Sequence, residues 1–183
     1  MDSEGCTLLT AKERRSIAGE ELDAVAPLPA AGDTLKCRWV NSLSTSAPTA
    51  LTVEATMAQR WVLGLPQQID ATIASGRSER KYIKRLLAAK RKVFADGEEI
   101  GGKEACRLFS LLAEATGGKQ GTSQSAFVLP AQAGGVTAGA NSCTNGVYTL
   151  LTYDEKGLAP STPLGNAVLR LVKIAQKRAI KIL

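Results

Sequence analysis

Arg77-Ser78-Glu79-Arg80-Lys81-Tyr82-Ile83-Lys84-Arg85-Leu86-Leu87-Ala88-Ala89-Lys90-Arg91-Lys92-Val93-Phe94 is the stretch on which the reading of this chain turns. From Arg77 to Lys92 it holds eight basic residues and a single acid, Glu79. At about 100° per residue, Arg77, Arg80, Lys81, Lys84, Arg85, Arg91 and Lys92 fall within one arc of about 140°. Tyr82, Ile83, Leu86, Leu87, Val93 and Phe94 fill the opposite arc, which only Lys90 interrupts. The pattern predicts a helix with its apolar side in a core and its basic side outward. Leu164–Ile182 separates in the same way. Arg170, Lys173, Lys177, Arg178 and Lys181 lie on one side, and Val168, Leu171, Val172, Ala175, Ala179 and Ile182 on the other.

Working outward, the spacing of Thr10 and Glu13 is that of a capping box, which predicts a helix through about Val25. Pro27 and Pro29 end it, and Ala30–Asp33 reads as a linker. Residues 1–29 are therefore expected to form a helical arm or extension, and residues 30–183 the main domain. Leu35–Val40 partly alternates and predicts a strand, and Leu43–Ala50 a Ser/Thr/Pro loop. Leu51–Leu63 begins like a strand and ends like a helix. Pro66 opens a short helix that Gly76 stops. Ser78 is the expected cap of the basic helix, with Gly97 its end, and Lys103–Thr116 carries a core-facing stripe. Gly117–Gly146 is rich in Gly, Ala, Ser, Thr and Gln and reads as a flexible stretch around one short strand, Phe127–Leu129. Asn145-Gly146 before Val147–Tyr153 is a hairpin turn signal. The expected fold class is α+β, helix-rich, with amphipathic basic helices and a small strand component.

The chain has 183 residues and a net charge of +6, unevenly spread. Residues 1–75 carry −3 and residues 76–183 carry +9, which gives the positive field a place. Histidine is absent, which removes the usual general base near neutral pH, the Ser–His and Cys–His pairs and the commonest zinc ligand. Cys6, Cys37, Cys106 and Cys143 are far apart in sequence and form no CxxC pair, so free, metal-free thiols in a reducing compartment are expected. The acidic N-terminal residues do not read as a signal peptide, and no apolar run approaches the about 18 residues of a membrane span. The expected localisation is intracellular, in a virion or host cytoplasm.

Motifs for catalysis are weak. Gly118-Lys119 is followed by Gln120, so the Walker pattern is broken. The Asn141–Gly146 segment holds Ser142 and Cys143 but has no histidine to activate them. No enzyme, cofactor or metal is implied. Seven like charges on one arc repel one another, and a polyanion relieves that repulsion. Aromatics are scarce, leaving Tyr82 and Tyr153 as candidate base stackers and making phosphate contact the natural mode.

The expected function is a nucleic-acid-binding structural protein, most concretely a viral coat or nucleocapsid subunit. It would self-assemble and contact phosphates, RNA first and without base specificity, through Arg77, Arg80, Lys81, Lys84, Arg85, Arg91, Lys92, Arg170, Lys173, Lys177 and Lys181. The alternative is a cellular accessory protein that binds RNA, DNA or an acidic protein. An enzyme without a recognisable site is the third reading.

Overall fold

The computed structural model describes residues 4–25, 32–42, 48–131 and 134–183. The first three residues, the Pro27/Pro29 break, half of the Ala30–Asp33 linker and positions 43–47 lie outside them. The strands are β1 (Asp23–Ala24), β2 (Thr34–Val40), β3 (Ala50–Met57), β4 (Gln124–Ala131), β5 (Gly135–Thr144) and β6 (Val147–Lys156). They form one antiparallel sheet in the order β1-β2-β3-β6-β5-β4. The helices are α1 (Ala11–Ala18), α2 (Ala58–Val62), α3 (Leu65–Ala74), α4 (Arg80–Asp96), α5 (Gly102–Ala115) and α6 (Thr162–Ile182), with short 3-10 turns at Glu4–Leu8 and Gly97–Glu99.

The helices expected from periodicity are present as α4, α5 and α6, and the Thr10–Glu13 box opens α1. However, α1 stops at Ala18 on the left-handed Gly19 instead of running to Val25, and Asp23–Ala24 is strand. The strand component, however, is not small. About 27% of the described residues are strand and 50% helical. Residues 51–63 are strand to Met57 and helix from Ala58, so both signals in that segment were real. The largest departure lies in Gly117–Gly146, which holds β4 and β5. Buried positions on both faces of β5 are filled by small residues, Ala138, Ala140 and Ser142 on one face and Gly139 on the other, too small to give a strong hydrophobic pattern. Their size has a packing reason: a Cβ at Gly139 would stand 2.4 Å from the Phe127 ring. The β5–β6 turn forms as its sequence demands, with Asn145 and Gly146 at φ 51° and 77°, the left-handed pair of a type I′ hairpin.

All four cysteines are paired, overturning the expectation of free thiols. Cys6–Cys37 joins the Glu4–Leu8 turn to β2, and Cys106–Cys143 joins α5 to β5. Their separations of 31 and 37 residues hide the pairing in sequence, because only the tertiary fold brings the partners together.

The chain divides into two compact units, Met1–Ala55 with Ala126–Ser142 and Thr149–Leu183, and Thr56–Ser125 with Cys143–Tyr148. In the first, α6 buries Leu164, Val168, Leu171, Val172, Ala175 and Ala179. Near its end, Arg178 donates to both carboxylate oxygens of Glu13 (2.6 and 2.8 Å) and to the Leu8 carbonyl (2.9 Å). Glu13 also accepts from the Thr10 backbone N–H at 2.8 Å, and the Thr10 hydroxyl accepts from Glu13 N–H at 3.3 Å. The Arg178 guanidinium holds the Glu13 carboxyl at about 2, below the ordinary 4.5, with the Thr10 bonds adding to it. Leu8, Leu9 and Leu22 are buried in the same unit.

The second unit is built from α2–α5. Trp61 stacks on Tyr148 at 5.1 Å between ring centroids and meets Phe109 edge-on at 5.7 Å. Ile69 of α3, Leu86, Ala89 and Val93 of α4, and Ala105, Leu108 and Leu111 of α5 complete this core. A Cβ at Gly102 would lie 2.7 Å from Gly146 Cα, so glycine is required where α5 starts beside the hairpin turn. These contacts fix α4 against α3 and α5, and with it the direction of the basic face.

Candidate nucleic-acid interface

The seventeen residues of α4 start at Arg80, with Glu79 as N-cap and no side-chain cap. Ser78, the expected cap, instead donates its hydroxyl to the Ala115 carbonyl at 2.8 Å. Arg77 therefore precedes the helix, after Gly76 with its φ of 66°, and does not share the helical arc. All eleven basic residues singled out from sequence are exposed.

Neighbouring carboxylates divide those on α4 into two sets. On the side toward α5, Lys92 pairs with Glu104 at 2.9 Å and Arg85 approaches the buried Glu114 at 3.7 Å. Lys81 pairs with Glu79 at 3.1 Å. Lys92 holds the Glu104 carboxyl below its ordinary range, and the hydrogen bond to Glu79 raises the Lys81 ammonium above its own. Lys90, the interruption in the apolar arc, reaches Asp70 of α3 at 2.6 Å. Its position is thus explained by a partner. Arg80, Lys84 and Arg91 have no acidic partner among the described residues. Helical geometry places these three within about 40° of one another and over about 16 Å of axis.

The same division recurs on α6, in the other unit. Arg178 is bound by Glu13, whereas Arg170, Lys173, Lys177 and Lys181 are exposed and without an acidic partner among the described residues. These four lie within about 80° of helical arc. The two rows belong to different units, and each stands as a surface by itself.

The apolar arc of α4 is not wholly buried. Leu86, Ala89 and Val93 face the core, but Leu87 is 38% exposed and Phe94 71% exposed. Both belong to the apolar arc whose pattern predicts burial. The arc spans about 140°, wider than a single core contact covers, and that excess width was the available signal. Of the two tyrosines considered as stackers, Tyr153 is fully buried and its hydroxyl donates to Glu155. Burial pushes the Tyr153 phenol well above its ordinary range, with the Glu155 bond adding to the shift. Tyr82 is half-buried against the core, with Lys81 Nζ and Arg85 Cζ 5.0 and 5.9 Å from its ring centroid.

Chemically, each row is an array of exposed positive charge on a helix face, suited to neutralising phosphates. Among the described residues no group of three or more His, Cys, Asp or Glu could hold a metal ion, and no helix is long and apolar enough to cross a membrane. No protein-family model, curated protein or solved structure matches this chain.

Proposed function

We propose that this protein is a non-enzymatic, nucleic-acid-binding structural subunit of the coat or nucleocapsid kind, meeting phosphates through α4 and α6. The observation that carries this reading is the unpaired row Arg80, Lys84 and Arg91. Acids on α3, α5 and the α4 N-cap neutralise Lys90, Arg85, Lys92 and Lys81, yet none answers the outer row. Like charges held this close on a rigid helix are stabilised by an external polyanion, and each phosphate neutralised also releases counterions.

Two further features favour an assembling subunit over a monomeric accessory protein. Strand β4 ends the sheet, carries no charged residue in Gln124–Ala131, and leaves Phe127 and Leu129 exposed. The uncharged stretch Gln124–Leu129, before Pro130 removes a donor from the ladder, is a template for pairing with the same edge of a second copy. Two disulfides also suit a working environment more oxidising than a cytosol, as outside a cell or in a released particle.

Reversing the row with Arg80→Glu, Lys84→Glu and Arg91→Glu is expected to weaken RNA binding at least about 100-fold, with an unchanged circular dichroism spectrum. Wild-type protein mixed with RNA is expected to run as large particles absorbing as nucleic acid in size-exclusion chromatography. Unchanged affinity in the folded triple variant overturns the reading.

A further inference from the structure

We infer that the outer face of α4 takes single-stranded nucleic acid, with a base stacked on Phe94 while Arg80, Lys84 and Arg91 hold the phosphates. This rests on the proposed function and names the form of nucleic acid that the same site accepts. The protein has three phenylalanines. Phe109 is buried, Phe127 is seated over Gly139, and Phe94 is 71% exposed. Leaving a phenyl ring in water sacrifices much of the free energy its burial would provide. The ring is not on a random part of the surface. Helical geometry sets Leu87 about 20° and Phe94 about 40° beyond Arg80 on the edge of the unpaired row, with Arg91 one turn from Phe94. Lys90 Nζ stands 5.9 Å from the Phe94 ring centroid and is itself anchored on Asp70, which steadies the ring from the α3 side.

Three unpaired cations over about 16 Å match about five stacked nucleotides at 3.4 Å each. A duplex would meet the cations with its phosphates but hides its base faces, so Phe94 would gain nothing. A single strand offers both the phosphates and an open π face, and base–aromatic stacking tolerates any sequence. Charge complementarity therefore selects a polyanion, and the adjoining exposed ring selects one with accessible bases.

The test uses the full chain and fluorescence anisotropy with labelled oligothymidylate and with a duplex of equal length, at one ionic strength. Phe94→Ala is expected to lower single-strand affinity about 5- to 100-fold while leaving duplex affinity within about 2-fold, and Phe94→Tyr to restore it. Truncating so exposed a ring leaves the core intact, which circular dichroism verifies. Equal loss on both probes, or none on the single strand, overturns the inference. If Arg80→Glu with Lys84→Glu still abolishes binding in that case, the proposed function stands without it. If the charge reversals change neither probe, both fall. Binding to anionic phosphatidylserine vesicles but to neither oligonucleotide, or dimerisation abolished by Phe94→Ala, assigns the face to another occupant and likewise overturns the inference.

Discussion

At the scale of single residues, acids are positioned to select which cations remain available. Glu13, Asp70, Glu79, Glu104 and Glu114 each take a basic side chain from one of the two charged helices. Glu13 is the most deeply engaged, since it accepts from Arg178 twice and from Thr10. Its carboxyl titrates at about 2 in the folded chain instead of 4.5. A depressed carboxylate contributes stability that is full above the unfolded value and is lost as pH falls through the folded one. The window is therefore pH 4.5 down to about 2, through which Arg178 stays charged. Glu13→Gln is expected to cost about 1–2 kcal/mol at neutral pH, allowing for partial exposure of the pair, and to remove this part of the acid dependence. Urea unfolding of both proteins across that window checks it. Parallel curves would show that Glu13 does not couple folding to pH.

At the scale of elements, both disulfides tie a helical segment to a strand. Thiol titration of the denatured chain without reductant should find no free cysteine. Replacing Cys106 and Cys143 by serine is expected to destabilise the protein by about 2–4 kcal/mol, read from chemical denaturation. Four reactive thiols in the untreated protein would contradict the fold as described. The elements that could be read from sequence are those that carry their own periodicity or turn chemistry. Examples are α4, α6, the Thr10–Glu13 box and the Asn145–Gly146 turn. Strand β5 could not be read, because its small residues are explained by what lies over them, as Phe127 lies over Gly139. The same limit applies to the site. Sequence gives the basic arc, but which cations are answered depends on Glu104 and Glu114 of α5 and Asp70 of α3. Phe94 is exposed despite its place in the apolar arc for the same reason: periodicity shows the arc without showing how much of it a neighbour covers.

At the scale of the whole molecule, one unit carries the row Arg80, Lys84 and Arg91, unpaired among the described residues, and the other an uncharged sheet edge. Leu129, 52% exposed on β4, is a site where a charge should block edge pairing without disturbing the core. Leu129→Lys is expected to reduce self-association in sedimentation velocity while leaving the affinity of single subunits for RNA unchanged. Identical sedimentation of variant and wild type would remove β4 as the contact between copies. The central claim is that Arg80, Lys84 and Arg91 contact phosphate whereas Lys81, Arg85 and Lys92 serve the protein's own acids. The salt dependence of RNA affinity tests it most directly, because the slope of log K against log salt counts the phosphates neutralised at about 0.7 each on a single strand. Arg80→Ala, Lys84→Ala and Arg91→Ala together should lower that slope by about 2, and Lys81→Ala, Arg85→Ala and Lys92→Ala together by less than about 1. Equal changes in the two triple variants, or a slope that neither alters, would contradict it.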